Sequence, residues 1–266
     1  MNAKNLPIGV FDSGMGGLTV LRSLRSHLPL EDFVYLGDTA RLPYGTKSSE
    51  TVSRYAMQAA GKLLENEIKA LVVACNTASS FSLRTLIEAY APIPIYGVIE
   101  PGAIKACQDA DSTGILILAT ESTVFGGAYQ RSILNKKPEI PVYARACSLW
   151  VTLAEQGLDD RELAFKVIEH YLQGFIDDGP MTVLLGCTHF PILTPLIRQV
   201  LGDRFIVVDS AETTAQSVAA DLTASGCLND AGGNMMFLAT DSTRRFQKMG
   251  KRFLGEDLKD VIKVDL

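Results

Sequence analysis

Several features that mark specialised proteins are missing from this chain. No apolar run approaches the roughly 18 residues of a membrane span, so no membrane partner is expected. The opening stretch, MNAKNLPIGVFDSG, has neither a long apolar segment nor a small-residue cleavage site, and no secretory signal is read there. Histidine occurs three times and tryptophan once in 266 residues, which leaves few ligands for a metal centre. The five cysteines are odd in number, scattered and without a C-x-x-C pair, so neither a disulfide framework nor a thiol–disulfide motif is indicated. Charge of one sign is not in large excess: the net charge of −5 argues against a general nucleic-acid surface. No low-complexity segment or charge block breaks the chain. A cytoplasmic globular protein with reduced thiols is expected.

What is present is a repeated strand-and-helix pattern. Short β-rich runs (PIGVF, DFVYLGD, ALVVAC, PIYGVI, GILILAT, IPVYARA, TVLLGC, RFIVVD and NMMFLAT) are separated by longer amphipathic stretches such as 48–66 and 160–176. Near-continuous apolar strands alternating with helices predict an α/β fold with mostly parallel sheets flanked by helices. Soft linkers are read near Pro92–Pro94 and Asp230–Asn234. A weak internal repeat goes further. PIGVFDSGMGG resembles STGILILATESTVFGG, and ALVVACNT resembles TVLLGCTH. Asp12 and Thr120 lie 108 positions apart, and Cys75 and Cys187 lie 112 apart. Similar offsets in the same order predict two pseudo-symmetric α/β domains. Ligands of such sheets collect beyond the C-terminal strand edges, which places the active site in the cleft between them.

Each motif also has a bland reading. In FDSGMGG the glycines permit tight turns and the helix N-terminus offers amides to an anion, yet Asp12 or Ser13 acting as a plain cap accounts for the motif equally well. YLGDTARLPYGTKSSE places Tyr44 and Gly45 in a polar loop that is either a binding loop or a solvated turn. Either Cys75 in ACNTAS or Cys187 in GCTHFP, taken alone, is a small core residue. As a pair at repeat-equivalent strand ends, each beside threonine and a following helix, they read as two sulfurs facing one bound molecule. Cys107, Cys147 and Cys227 lack such a sequel and are read as structural. Trp150 is read as core or domain interface, and Glu155 as a surface carboxylate at a helix end.

Three chemistries use two sulfurs. A disulfide switch needs them in contact. A zinc site needs further ligands, and only His189 lies near. The third is proton removal from one face of a carbon with proton delivery to the other, for which a thiol pKa near 8.5 suits either state near neutrality. His189 beside Cys187, and Asp12 in the opposite half, are placed to tune or assist the two thiols. A non-catalytic amino-acid- or anion-binding protein also accounts for the glycines, but leaves the cysteine pair as coincidence.

IGVFDSGMGGLTVL, YLGDTARLPYGTKS, ACNTAS, GVIEPG, GCTHFP and VDSA together resemble the aspartate/glutamate racemase family over nearly the whole chain. The resemblance implies a two-domain isomerase that interconverts L- and D-glutamate without cofactor or metal and supplies D-glutamate for peptidoglycan in a bacterial cytoplasm. It implies Cys75 and Cys187 as the acid/base pair, with Cys75 facing D-glutamate and Cys187 facing L-glutamate. Asp12 and His189 assist them. Asp12, Ser13, Tyr44, Gly45, Asn76, Thr77, Thr123, Thr188 and His189 are the implied substrate contacts, the ammonium group lying near Asp12. The family's fold returns its C-terminal segment, so 1–98 plus 210–266 form the first domain and 99–209 the second. Ser148, Leu149 and Trp150 stand where Pro-Leu-Phe is usual, and Gly126 where serine is common. A homodimer is expected, with no nucleic-acid partner. Aspartate, or another acidic amino acid, is the alternative substrate of the same chemistry.

Overall fold

The computed structural model describes residues 3–158, 162–177 and 179–266. Its first half runs β1 (Ile8–Asp12), α1 (Leu18–His27), β2 (Phe33–Gly37), α2 (Ser49–Leu64), β3 (Ala70–Val73), α3 (Asn76–Tyr90) and β4 (Ile95–Gly97). The second begins with α4 (Ile99–Asp109) and continues through β5 (Ile115–Ala119), α5 (Glu121–Gly126), α6 (Ala128–Lys136), β6 (Val142–Ala146), α7 (Ser148–Gln156), α8 (Glu162–Leu172), β7 (Thr182–Gly186), α9 (Thr194–Leu201) and β8 (Ile206–Asp209). The chain then returns through α10 (Ser210–Ala224), β9 (Met235–Ala239), α11 (Thr243–Leu254) and β10 (Val261–Lys263). Residues 160 and 161 of the expected helix 160–176 lie outside the described residues; α8 accounts for its middle.

Two wholly parallel sheets result, ordered β10-β9-β2-β1-β3-β4 and β6-β5-β7-β8. The order β2-β1-β3-β4 is reproduced as β6-β5-β7-β8, which is the architecture expected of a duplication. The cysteine-bearing strands β3 and β7 occupy equivalent places, as do β1 and β5. Strands buried on both faces need apolar residues at every position. Ile8 and Val10 accordingly pack into one core cluster while Phe11 packs into another. The larger cluster runs between the halves, joining Leu18 and Tyr35 to Ile117, Leu184 and Ala211.

Neither expected linker carries the chain from one sheet to the other. Pro92–Pro94 is the turn leading into β4, and Asp230–Asn234 leads into β9 of the same sheet. The crossings are instead two helices, α4 after β4 and α10 after β8, which pack on each other. Asp209 caps α10, its carboxylate accepting from the Ala211 amide at 2.8 Å. The short edge strand β10 is not among the expected strands. Its residues are half-buried or exposed, so its sequence has no apolar run to read.

A buried ion pair joins the residues that lead into β2 and β3 of the first sheet. Lys69 Nζ lies 2.5 Å from Glu31 Oε2 as an ion pair and donates to the carbonyls of Lys4 and Cys227 at 2.6 and 2.8 Å. Glu31 Oε1 also accepts from the Asn229 amide at 2.8 Å. Removing one member leaves the other charge buried and unpaired. Lys69→Met is therefore expected to lose about 3 kcal/mol in urea unfolding, and Glu31→Leu combined with Lys69→Met to recover most of it. Equal midpoints for Lys69→Met and the parent would show that the pair has no such role.

Candidate active site

Both cysteines reach one cavity. Strand β3 ends at Val73 and delivers Cys75 as the N-cap of α3, its sulfur accepting from the Ala78 amide at 3.5 Å. Strand β7 ends at Gly186 and delivers Cys187 directly. The chain after Cys187 does not enter an α-helix at once, contrary to expectation: a 3-10 turn, Phe190–Leu193, comes before α9. The cavity is lined by Ser13, Tyr44, Gly45, Cys75, Asn76, Thr77, Thr120, Cys187, Thr188 and His189, together with Gly14, Leu42, Pro43, Val151, Glu155 and Gly186. Residues of both halves therefore share its wall. All five cysteines are free thiols, and Cys107 and Cys147 are buried away from the cavity. Among the described residues, no group of three His, Cys, Asp or Glu side chains is placed to hold a metal ion.

Two of the expected contacts lie behind the wall. Asp12 is fully buried and absent from the lining; one carboxylate oxygen accepts from the Gly14 amide at 3.0 Å and the other from Thr188 Oγ1 at 3.4 Å. Burial raises its pKa, and the His189 charge opposes that rise. Thr123 is also set back. Its hydroxyl lies 3.0 Å from those of both Thr77 and Thr120, which are 3.1 Å from each other, so three hydroxyls close a ring across the two halves. Tyr44 lines the cavity, but its hydroxyl is committed to Asp38 Oδ2 at 2.6 Å.

Gly16 and Gly17 of FDSGMGG form the turn into α1, and Gly16 serves a second purpose. None of Gly14, Gly16 and Gly17 adopts a positive φ. A Cβ on Gly16 would instead lie 2.4 Å from both His189 Nδ1 and Thr188 Oγ1, so this glycine allows the two halves to touch. Thr19 Oγ1 adds a cross-half bond to the Thr188 carbonyl at 2.9 Å.

The two sulfurs have unlike surroundings. Burial, reinforced by the Asp12 charge, pushes the Cys75 thiol up to about 12, against the Ala78 amide and the Ser13 hydroxyl. Cys187 Sγ instead faces His189 Nδ1 at 3.9 Å. The far nitrogen of that ring, Nε2, is 3.2 Å from Glu155 Oε1, and Arg245 of α11 lies 3.8 Å from Glu155 Oε2. Burial alone would depress the imidazole, but its hydrogen bonds to Cys187 and Glu155 and their charges hold it up to about 10. The inward role of Glu155 corrects its expected place at the surface, since a helix-end glutamate normally faces solvent. Here its side chain is 12% exposed and turns inward.

Fold and site together define a two-domain α/β protein with a thiol from each half in one cavity, an arrangement able to serve both faces of a carbon. The Asp/Glu/hydantoin racemase family matches residues 18–218, and the chain belongs to that family of isomerases. It is 46% identical to the glutamate racemase of Geobacter metallireducens over 97% of this chain and 96% of that protein. Among solved structures it resembles glutamate racemase isoform RacE1 from Bacillus anthracis, with a TM-score of 0.93, 35% identity and coverage of 99% and 98% of the two chains. The glutamate racemase of Francisella tularensis in complex with D-glutamate gives a TM-score of 0.92 at 35% identity, over 98% of each chain.

The folded state holds the His189 proton more tightly than the unfolded chain does. Its ion pairing thus contributes stability that is fully present below about pH 6.5 and is lost as the pH rises through about 10. Nitrogen NMR should show an imidazolium persisting at pH 8. Glu155→Gln should lower the titration by about one unit or more. An imidazole titrating near 6.5 in both proteins would remove Glu155 from this role.

Proposed function

We propose that this protein interconverts L- and D-glutamate, with Cys75 and Cys187 as the two proton carriers and with neither cofactor nor metal required. The observation that carries the reading is the delivery of two thiols, by equivalent strands of a duplicated fold, to one cavity. The names of the relatives supply the substrate. One thiolate takes the α-proton while the opposite thiol protonates the other face. The C–H electron pair is held as an enediolate-like carboxylate and then used in the new C–H bond, so only the protonation states of the sulfurs change. An α-proton is far less acidic than a thiol, so fixed donors must stabilise that charge in a water-poor site. Asn76, Thr77, Thr188 and nearby backbone amides supply them. Asp12 acts from behind the wall, orienting Thr188 and favouring the His189 cation.

The domain division falls at the two helical crossings, giving 1–98 plus 210–266 and 99–209. The protein works in a bacterial cytoplasm as a homodimer, and its D-glutamate enters peptidoglycan. Among the described residues, no helix is long and apolar enough to cross a membrane.

Incubation with either glutamate enantiomer in deuterated water should place deuterium at Cα and invert the chirality, without added pyridoxal phosphate or metal. No exchange would refute the reading, and faster exchange on aspartate would reassign the substrate. Either cysteine-to-alanine variant should lose net inversion. Cys75→Ala should still exchange L-glutamate with retention, and Cys187→Ala D-glutamate. Racemisation by both variants at the parent rate would discard the assignment. The parent's pH–rate profile should be bell-shaped, with apparent pKa values belonging to the thiol pair. Unchanged activity across the thiol range, with chemistry shown to be rate-limiting by a deuterium isotope effect, is the contrary result.

A further inference from the structure

Tyr129 belongs to no cysteine motif and does not line the cavity, yet it touches the supports of both. It follows Gly127, whose φ of +66° ends α5 and starts α6 in a conformation that favours glycine. Its side chain is fully buried in the cluster between the halves. The hydroxyl donates to Asn76 Oδ1 at 2.7 Å, crossing from the second half to the residue behind Cys75. The ring lies against Gly186, the residue before Cys187, where a Cβ would come within 2.9 Å of Tyr129 Cε2. The same hydroxyl is 3.4 Å from the Val98 carbonyl and interacts with the Ser210 hydroxyl. Val98 and Ser210 are the points at which the chain crosses between the halves.

The Asn76 amide shows what this contact does. Its oxygen is taken by Tyr129, while its nitrogen is buried with no protein partner, on a residue that lines the cavity. An asparagine side chain can present either end to a site, and a buried donor without an acceptor is costly. A phenol donating to Oδ1 selects the orientation that leaves Nδ2 for an acceptor on the ligand. A carboxylate is such an acceptor.

Resting on the racemase reading above, we propose that Tyr129 is a positioning residue of the reaction: its hydroxyl orients the Asn76 amide toward the substrate carboxylate while its ring braces Gly186, registering the Cys75 and Cys187 motifs to each other. The side chain acts through Asn76 and Gly186 and never meets the substrate.

Tyr129→Phe keeps the ring and removes only the hydroxyl. It is expected to lower kcat/KM about tenfold. The loss must be equal for both enantiomers, because the equilibrium constant of a racemisation is one. In an Asn76→Ala background, where there is no amide to orient, the same substitution should cost less than about twofold. A purely structural role would give losses that multiply. Parent-like kcat/KM in Tyr129→Phe, or multiplicative losses in the double variant, overturns the proposal. A second arm needs no turnover. The Asn76 side-chain amide signal, identified by its disappearance in Asn76→Ala, should shift in ¹⁵N spectra of ligand-free Tyr129→Phe, and an unmoved signal also overturns the proposal. If the parent fails to exchange the α-proton while this signal moves, the glutamate reading fails and the orienting contact stands.

Discussion

The His189 ring joins the two halves both sterically and electrically. It lies against Gly16, where no side chain would fit, and meets Phe253 of α11 edge-on, with centroids 5.3 Å apart. Its two nitrogens face Cys187 and Glu155, and its charge opposes the burial of Asp12. An imidazolium this deeply buried is tolerable only if negative groups surround it. Those groups come from both sides of the seam, so closure of the cleft and charge balance are one event. Opening it would hydrate each of these charges separately. The closed form thus assembles a charged site that neither half contains alone.

Duplication explains why the seam has this form. Parallel strands end together at one edge, and the following helices leave their N-terminal amides there. Setting two such edges face to face brings together what each half carries there: Asp12 and Cys75 from one, Thr120 and Cys187 from the other. The repeat is not exact in chemistry. One half ends its first strand with an acid and glycines, and the other with a hydroxyl in the threonine ring. The asymmetry of the two sulfurs begins there.

Much of this arrangement is legible in the chain itself. The strands can be read because burial on both faces demands unbroken apolar runs, and the cysteines because the repeat places them in register. β10 is hidden because an edge strand with a wet face needs no such run. Gly16 and Gly17 of FDSGMGG form the turn their local pattern suggests, but that pattern hides the constraint on Gly16 from Thr188 and His189, more than 170 positions away. Glu155 and Tyr129 share that problem. Each is ordinary in its local sequence and acquires a role from a partner in a distant segment, which no spacing rule reports. Asp12 is the reverse case, since its motif marks it as a contact but cannot reveal that it stands behind the wall.

On the proposed reading, the inequality of the sulfurs bears on how the protein starts each turnover. Conversion of L-glutamate begins with a Cys187 thiolate and a Cys75 thiol. Burial, reinforced by the Asp12 charge, holds the proton on the second. The opposite arrangement, required by D-glutamate, places charge on the more disfavoured sulfur. An equilibrium constant of one forbids this preference from favouring either product, so it divides between kcat and KM and leaves their ratio equal in the two directions. Each turnover of L-glutamate ends in the disfavoured state, with the Cys75 sulfur charged. That state relaxes by taking a proton at Cys75 and losing one at Cys187. His189, hydrogen-bonded toward Cys187 and backed by Glu155, already carries a proton on each ring nitrogen, so it serves this reset as a fixed positive charge and not as the proton's acceptor. The histidine that fastens the seam therefore bears on the reset through its charge alone.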